Sequence, residues 1–141
     1  MREESSFTEL VLKHLEFIQA VIARQANNSF LVKGWALTVA AAFYAFAANK
    51  LNWRIALVGL LPAFTFWGLD AYFLRQERFF RCLFDAVRNS ENEVDSFCMN
   101  PMEHPHNVKS WWIVLMSRTL FWFYGMIVAV GVLLVIAGLA Q

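Results

Sequence analysis

The sequence predicts an all-α fold: an integral membrane helical bundle with three transmembrane helices, a cytosolic N-terminal amphipathic helix and a cytosolic extension of the second span. Three observations carry that prediction. Residues 34–48 (GWALTVAAAFYAFAA) and 55–69 (IALVGLLPAFTFWGL) contain no ionisable side chain, and only Asn49-Lys50-Leu51-Asn52-Trp53-Arg54 separates them. A third apolar run occupies residues 119–140. Lys and Arg are lopsided about these runs: ten (Arg2, Lys13, Arg24, Lys33, Arg75, Arg78, Arg81, Arg88, Lys109 and Arg118) fall on one side, and only Lys50 and Arg54 on the other. Cytoplasmic flanks carry the excess of cations, so the N-terminus and the mid-chain segment are expected inside, with Gln141 in the periplasm.

Composition agrees, since 59% hydrophobic and 16% charged residues in a 141-residue chain are too apolar a mix for an ordinary soluble domain. A net charge of +1, with acidic residues interleaved among the basic ones, argues against a nucleic-acid partner and leaves the lipid bilayer as the evident one. Residues 1–25 are charged throughout and carry no cleavage signal, so the first span is expected to act as its own insertion signal. Cys82 and Cys98 both fall on the expected cytosolic side, where no disulfide is predicted.

Residues 1–28 form the expected cytosolic amphipathic helix. Phe7, Leu10, Val11, Leu15, Ile18, Val21 and Ile22 recur at helical spacing, opposite Glu9, Lys13, Glu16, Gln19 and Arg24. Ser5 or Ser6 followed by Glu9 offers a start signal. Asn27-Asn28-Ser29 is the natural place for a bend, yet no Pro or Gly lies between Phe7 and Lys33, so one long helix into the first span is equally allowed.

The first span is placed at 32–49 and the second at 53–74, each long enough for the roughly 20 residues that cross about 30 Å of hydrocarbon. The first is rich in Ala, which permits close backbone approach, so its Ala face should pack and the Phe-rich face of the second should meet lipid. Pro62 interrupts one hydrogen bond inside the second span. That helix reads on into a cytosolic extension at 75–92, where Phe80, Leu83, Phe84 and Val87 form an apolar stripe suited to the face of residues 7–22. Glu77 with Arg81, and Arg81 with Asp85, have ion-pair spacing. Residues 93–110, with Pro101 and Pro105, read as a loop; 111–117 should lie in the interface, and 118–140 is the third span. Together residues 1–141 make a single membrane domain.

Asp70 is the one acidic residue at intramembrane depth, where an ionisable group is functional or paired; Lys33 and Arg118 are its candidate partners. Gln25, Asn27, Asn28 and Ser29 form a polar knot before the first span, suited to helix-end contacts or, in an oligomer, to a pore mouth or subunit contact. Cys98, Glu103, His104 and His106 contain metal-ligand types, but their spacing matches no established closed site, and no metal is expected. No nucleophile elbow and no Gly-rich phosphate cradle occur, so neither catalysis nor a cofactor is expected.

The stretches at 14–24 (HLEFIQAVIAR), 27–35 (NNSFLVKGW) and 66–78 (FWGLDAYFLRQER) resemble a family of short bacterial inner-membrane proteins of uncharacterised function. The layout is also similar to the small two-span effectors of bacterial anti-phage systems, from which a third span sets this chain apart. The Ala-rich and Gly-containing spans suit self-association, so a non-enzymatic homo-oligomer is expected, and the likeness of layout implies that it forms a pore or disrupts the membrane in defence. An anchor or adaptor that presents cytosolic helices to a protein partner is the alternative, and a small proton-coupled transporter centred on Asp70 is the third reading.

Overall fold

The computed structural model describes residues 2–50, 52–88 and 110–140, and all regular structure among them is helical. Four helices follow in order: α1 (Arg2–Lys50), α2 (Trp53–Arg88), α3 (Trp111–Leu115) and α4 (Arg118–Leu139). α1, α2 and α4 each contain a stretch long and apolar enough to cross a membrane. The expected helix end at Asn89-Ser90-Glu91-Asn92, the loop with Pro101 and Pro105, and the set Cys98, Glu103, His104 and His106 lie outside the described residues.

α1 runs unbroken for 49 residues, roughly 74 Å at about 1.5 Å per residue, so the amphipathic segment and the first span are one helix with no bend at Asn27-Asn28-Ser29. Packing overrides weak local propensity here: Ser29 sits on the buried face, and contacts with α2 continue on both sides of it. Because the helix begins by Arg2, Ser5 and Ser6 lie inside it and do not start it. The helix also continues through Asn49 and Lys50, so the reversal is tighter than the polar run suggested. Asn52 forms it: its backbone N–H donates to the Ala47 carbonyl at 3.2 Å, and its Oδ1 accepts from the Arg54 N–H at 3.0 Å. One residue thereby closes α1 and caps α2.

Small side chains let the long helices approach. Ala36, Ala40 and Ala47 on α1 and Ala56, Ala63 and Ala71 on α2 are buried, while Phe46, Leu57, Leu61 and Phe64 face outward, as the Ala and Phe faces predicted. At Gly59 an added Cβ would stand 2.8 Å from the Cβ of Phe43, so this crossing requires glycine. The contacts fix an antiparallel register in which Gly59 is level with Phe43 and Asp70 with Ser29 and Lys33. Extending that register brings Ile18 level with Leu83, and both are fully buried. α1 and α2 therefore pair well beyond the α4 contact, as a two-helix stalk.

Details of the stalk differ from the amphipathic pattern. Leu10 is exposed and His14 buried, while Phe79 joins Leu83 on the buried face and Phe80 is only half-buried. Arg81 pairs with Glu77 at 2.5 Å, and Asp85 meets Arg88 at 3.8 Å in place of Arg81. A guanidinium engaged one turn back on the buried Glu77 is not available to the exposed Asp85.

α4 lies antiparallel to α2 and parallel to α1, with Leu120, Tyr124, Ile127 and Gly131 on its buried face. The Tyr44 hydroxyl donates to the Ile127 carbonyl at 3.1 Å, a polar tie inside the apolar core. Gly131 leaves room for that hydroxyl, from which an added Cβ would be 2.5 Å away. α3 is a single turn set off from α4 at Met116 and Ser117, and Trp67 Nε1 donates to the Leu115 carbonyl at 3.0 Å. The break falls where the sequence divides the interfacial segment from the third span.

Candidate functional site

Asp70 has no exposed surface, yet it lies on the inner face of α2 beside Ala71, among residues that are otherwise apolar. Burying a carboxylate is tolerated only when a cation and hydrogen bonds replace its water. Ser29 and Lys33 provide them: four residues apart on α1, they stand one above the other on the same face. The Ser29 hydroxyl donates to Asp70 Oδ1. Lys33 Nζ is 2.7 Å from Asp70 Oδ2 and donates to Ser29 Oγ at 2.8 Å, closing a triangle. From α4, the Tyr124 hydroxyl donates to Asp70 Oδ2 at 3.2 Å. Three side chains from two helices thus converge on one carboxylate of a third.

Aromatic rings close the clasp on its α4 side. Trp67 stacks on Tyr124 with centroids 5.9 Å apart and an 8° interplanar angle, and Phe123 meets Tyr124 edge-on at 5.1 Å. Tyr124 is fully buried, whereas the Lys33 side chain keeps 23% of its surface exposed. Lys33 is therefore the member of the clasp most open to its surroundings. Both Asp70 oxygens are occupied, by two donors from one face of α1 and one from α4. Such a set resists rearrangement.

The residues singled out from the sequence separate into two groups. Asp70 and Lys33 meet, and Ser29 joins them, leaving the polar knot. Arg118 does not: it is exposed on the first turn of α4 and makes no ion pair among the described residues. Six residues, or one and two-thirds turns, separate it from Tyr124, which aims it away from the face that meets Asp70. Of the knot, Asn27 is exposed, Asn28 half-buried, and Gln25 holds a buried Oε1 without a hydrogen-bond partner among the described residues. Ser29 faces Asp70 and is closed off from any pore mouth. Among the described residues, no three His, Cys, Asp or Glu side chains are grouped to hold a metal.

Sequence reasoning missed Tyr124 and Tyr44. A signal existed for the first, because a tyrosine hydroxyl within a span needs an acceptor. Tyr124 is six residues inside Arg118 and Asp70 five inside Arg75, which puts both about 8 Å below the boundary cations.

The chain matches no family model, curated protein or solved structure with which it was compared.

Proposed function

We propose that the chain is a non-enzymatic protein of a bacterial inner membrane that acts as a homo-oligomer, forming a pore or breaching the bilayer in defence against phage. The observation that carries the oligomer is the outward face of α1. Gly34, Thr38, Ala41, Ala45 and Ala48 follow one another at intervals of three and four residues, so they share one side of the helix, and all are exposed. A face of small residues in a span is what a neighbouring helix needs for close packing, because lipid supplies no hydrophobic drive to bring helices together. It lies opposite the Ala36, Ala40 and Ala47 face already used inside the subunit.

Asn27 stands two turns below Gly34 on that same side and is exposed, so assembly along α1 would gather Asn27, with Asn28 and Gln25 near it, around the cytosolic mouth. The basic-residue bias supports the orientation with the N-terminus in the cytoplasm and the C-terminus in the periplasm. The defence context has its support in the resemblance of layout to two-span anti-phage effectors. The complete set of partners around Asp70 favours a structural clasp over a proton relay.

Cysteine introduced by Ala45→Cys should form a disulfide-linked dimer under oxidation in native membranes, and the purified chain should release a small dye from vesicles. A chain that sizes only as a monomer in mild detergent and leaves vesicles intact would refute the proposal.

One observation favours the adaptor reading as well. Leu10, Leu12 and Phe17 on the stalk are 44%, 55% and 62% exposed, outside the expected spans. Apolar side chains displayed there suit a cytosolic protein partner. Under that reading Phe17→Glu abolishes partner capture and leaves oligomers unchanged.

A further inference from the structure

α1 and α4 meet where Tyr44 reaches Ile127 and Gly131, and between the two helices lies an open groove of about 840 Å³. Leu37 and Ala41 of α1 form one wall, and Trp122 and Met126 of α4 the other. The groove surface is almost wholly apolar until its end, where Arg118 and Thr119 line it. We propose that this groove binds an anionic glycerophospholipid, with one acyl chain between the helices and the headgroup phosphate on Arg118.

Depth, charge and the state of Arg118 argue together. From Arg118 to Val130 the groove follows twelve residues of α4, about 18 Å, which is close to one leaflet of a hydrocarbon core about 30 Å thick. An acyl chain anchored at the boundary reaches to that depth. Arg118 is exposed and carries no ion pair among the described residues, and a guanidinium is the side chain that makes two parallel hydrogen bonds with a phosphate. It also starts a 22-residue helix whose first N–H groups carry positive partial charge, and Ser117 gives them no side-chain cap. The Ser117 hydroxyl itself is buried without a hydrogen-bond partner among the described residues.

A second copy of the chain is the competing occupant, and charge disfavours it. The boundary of a second copy carries Arg75 and Arg78 near the level of Arg118, so cations would meet cations. Ala41 belongs both to this groove and to the outward small-residue face of α1, but the lipid proposal requires only insertion in a bilayer, and crosslinking at Ala45, which the groove does not include, tests the oligomer separately.

Native mass spectrometry of the full chain, released from micelles holding equal amounts of phosphatidylglycerol and phosphatidylcholine with identical acyl chains, tests it. The chain should retain phosphatidylglycerol preferentially. Arg118→Gln should lower the ratio of the two lipids by roughly fivefold, the scale of one cation at a membrane surface. Arg118→Lys should keep most of the preference, and Leu37→Trp, which fills the groove, should lose both lipids. Equal retention by the unaltered chain, or an unchanged ratio in Arg118→Gln, overturns the proposal. So does a Leu37→Trp variant that loses dimer and keeps its lipid, because the occupant is then a second copy.

Discussion

Asp70 is accommodated inside the bundle because Lys33 and two hydroxyls stand in for water, and the order in which these can be removed follows from charge. Lys33→Met leaves an ionised carboxylate buried without a cation and should destabilise the chain by about 3 kcal/mol. Asp70→Asn is milder, because Lys33 already reaches water and its long stem can carry the ammonium outward. Ser29→Ala and Tyr124→Phe each remove one neutral donor and should lower stability by about 0.6 kcal/mol, the usual size of such bonds in membranes. Combining Lys33→Met with Asp70→Asn should recover part of what Lys33→Met loses. Thermal unfolding in detergent, followed by circular dichroism, reads the whole series; a Lys33→Met chain as stable as the original would mean that the ion pair holds nothing. The pair was legible from the sequence because Asp70 and Lys33 share a depth. The choice between Lys33 and Arg118 was not, since it depends on which side of α4 faces α2, and that is fixed by Leu120 and Tyr124 packing inward.

Helices meet where side chains are absent. At Gly59 the obstacle to a methyl group is the Cβ of Phe43, a stem that cannot swing aside, so Gly59→Ala should force α1 and α2 apart and lower stability by about 1 to 3 kcal/mol. At Gly131 the first obstacle is the Tyr44 hydroxyl, so Gly131→Ala should break its bond to the Ile127 carbonyl; Tyr44→Phe combined with Gly131→Ala should then cost less than the two changes separately. The same unfolding measurement decides both, and strictly additive losses would contradict the second. Much of this level was readable in advance. The uncharged runs, the third apolar run and the inward Ala face reappear as α1, α2 and α4. What misled was local preference: Ser5, Ser6 and Asn27-Asn28-Ser29 look like helix ends, but pairing with α2 carries α1 through the second of these without a break. In the stalk stripe Leu83 is buried as expected, but Phe79 takes the place of Phe80, because a helix-period pattern in a run as aromatic as Phe79-Phe80 admits two faces until the partner helix selects one.

At the scale of the whole molecule, an intramembrane bundle clasped at Asp70 carries a stalk formed by the continuations of its own first two helices. α1 at roughly 74 Å and α2 at roughly 54 Å both outrun a hydrocarbon core of about 30 Å, whereas α4 at roughly 33 Å matches it. The outward small-residue face of α1 belongs to assembly in the proposed function. Since Ala45 is exposed in the subunit, Ala45→Trp should dissolve oligomers while leaving the unfolding temperature of the monomer unchanged. Chromatographic sizing with light scattering checks this, and oligomers of undiminished size would move the contact to another face. Function was far less legible than fold, because helix lengths and buried faces follow from hydropathy and volume, while a partner or a permeant species leaves no such periodic trace. The clasp, the stalk and the proposed assembly all depend on the number and direction of the membrane crossings. Compartment-sensitive reporters fused to residue 1 in one chain and to residue 141 in another should signal the cytoplasm and the periplasm respectively; signals from the same compartment would contradict a three-span bundle.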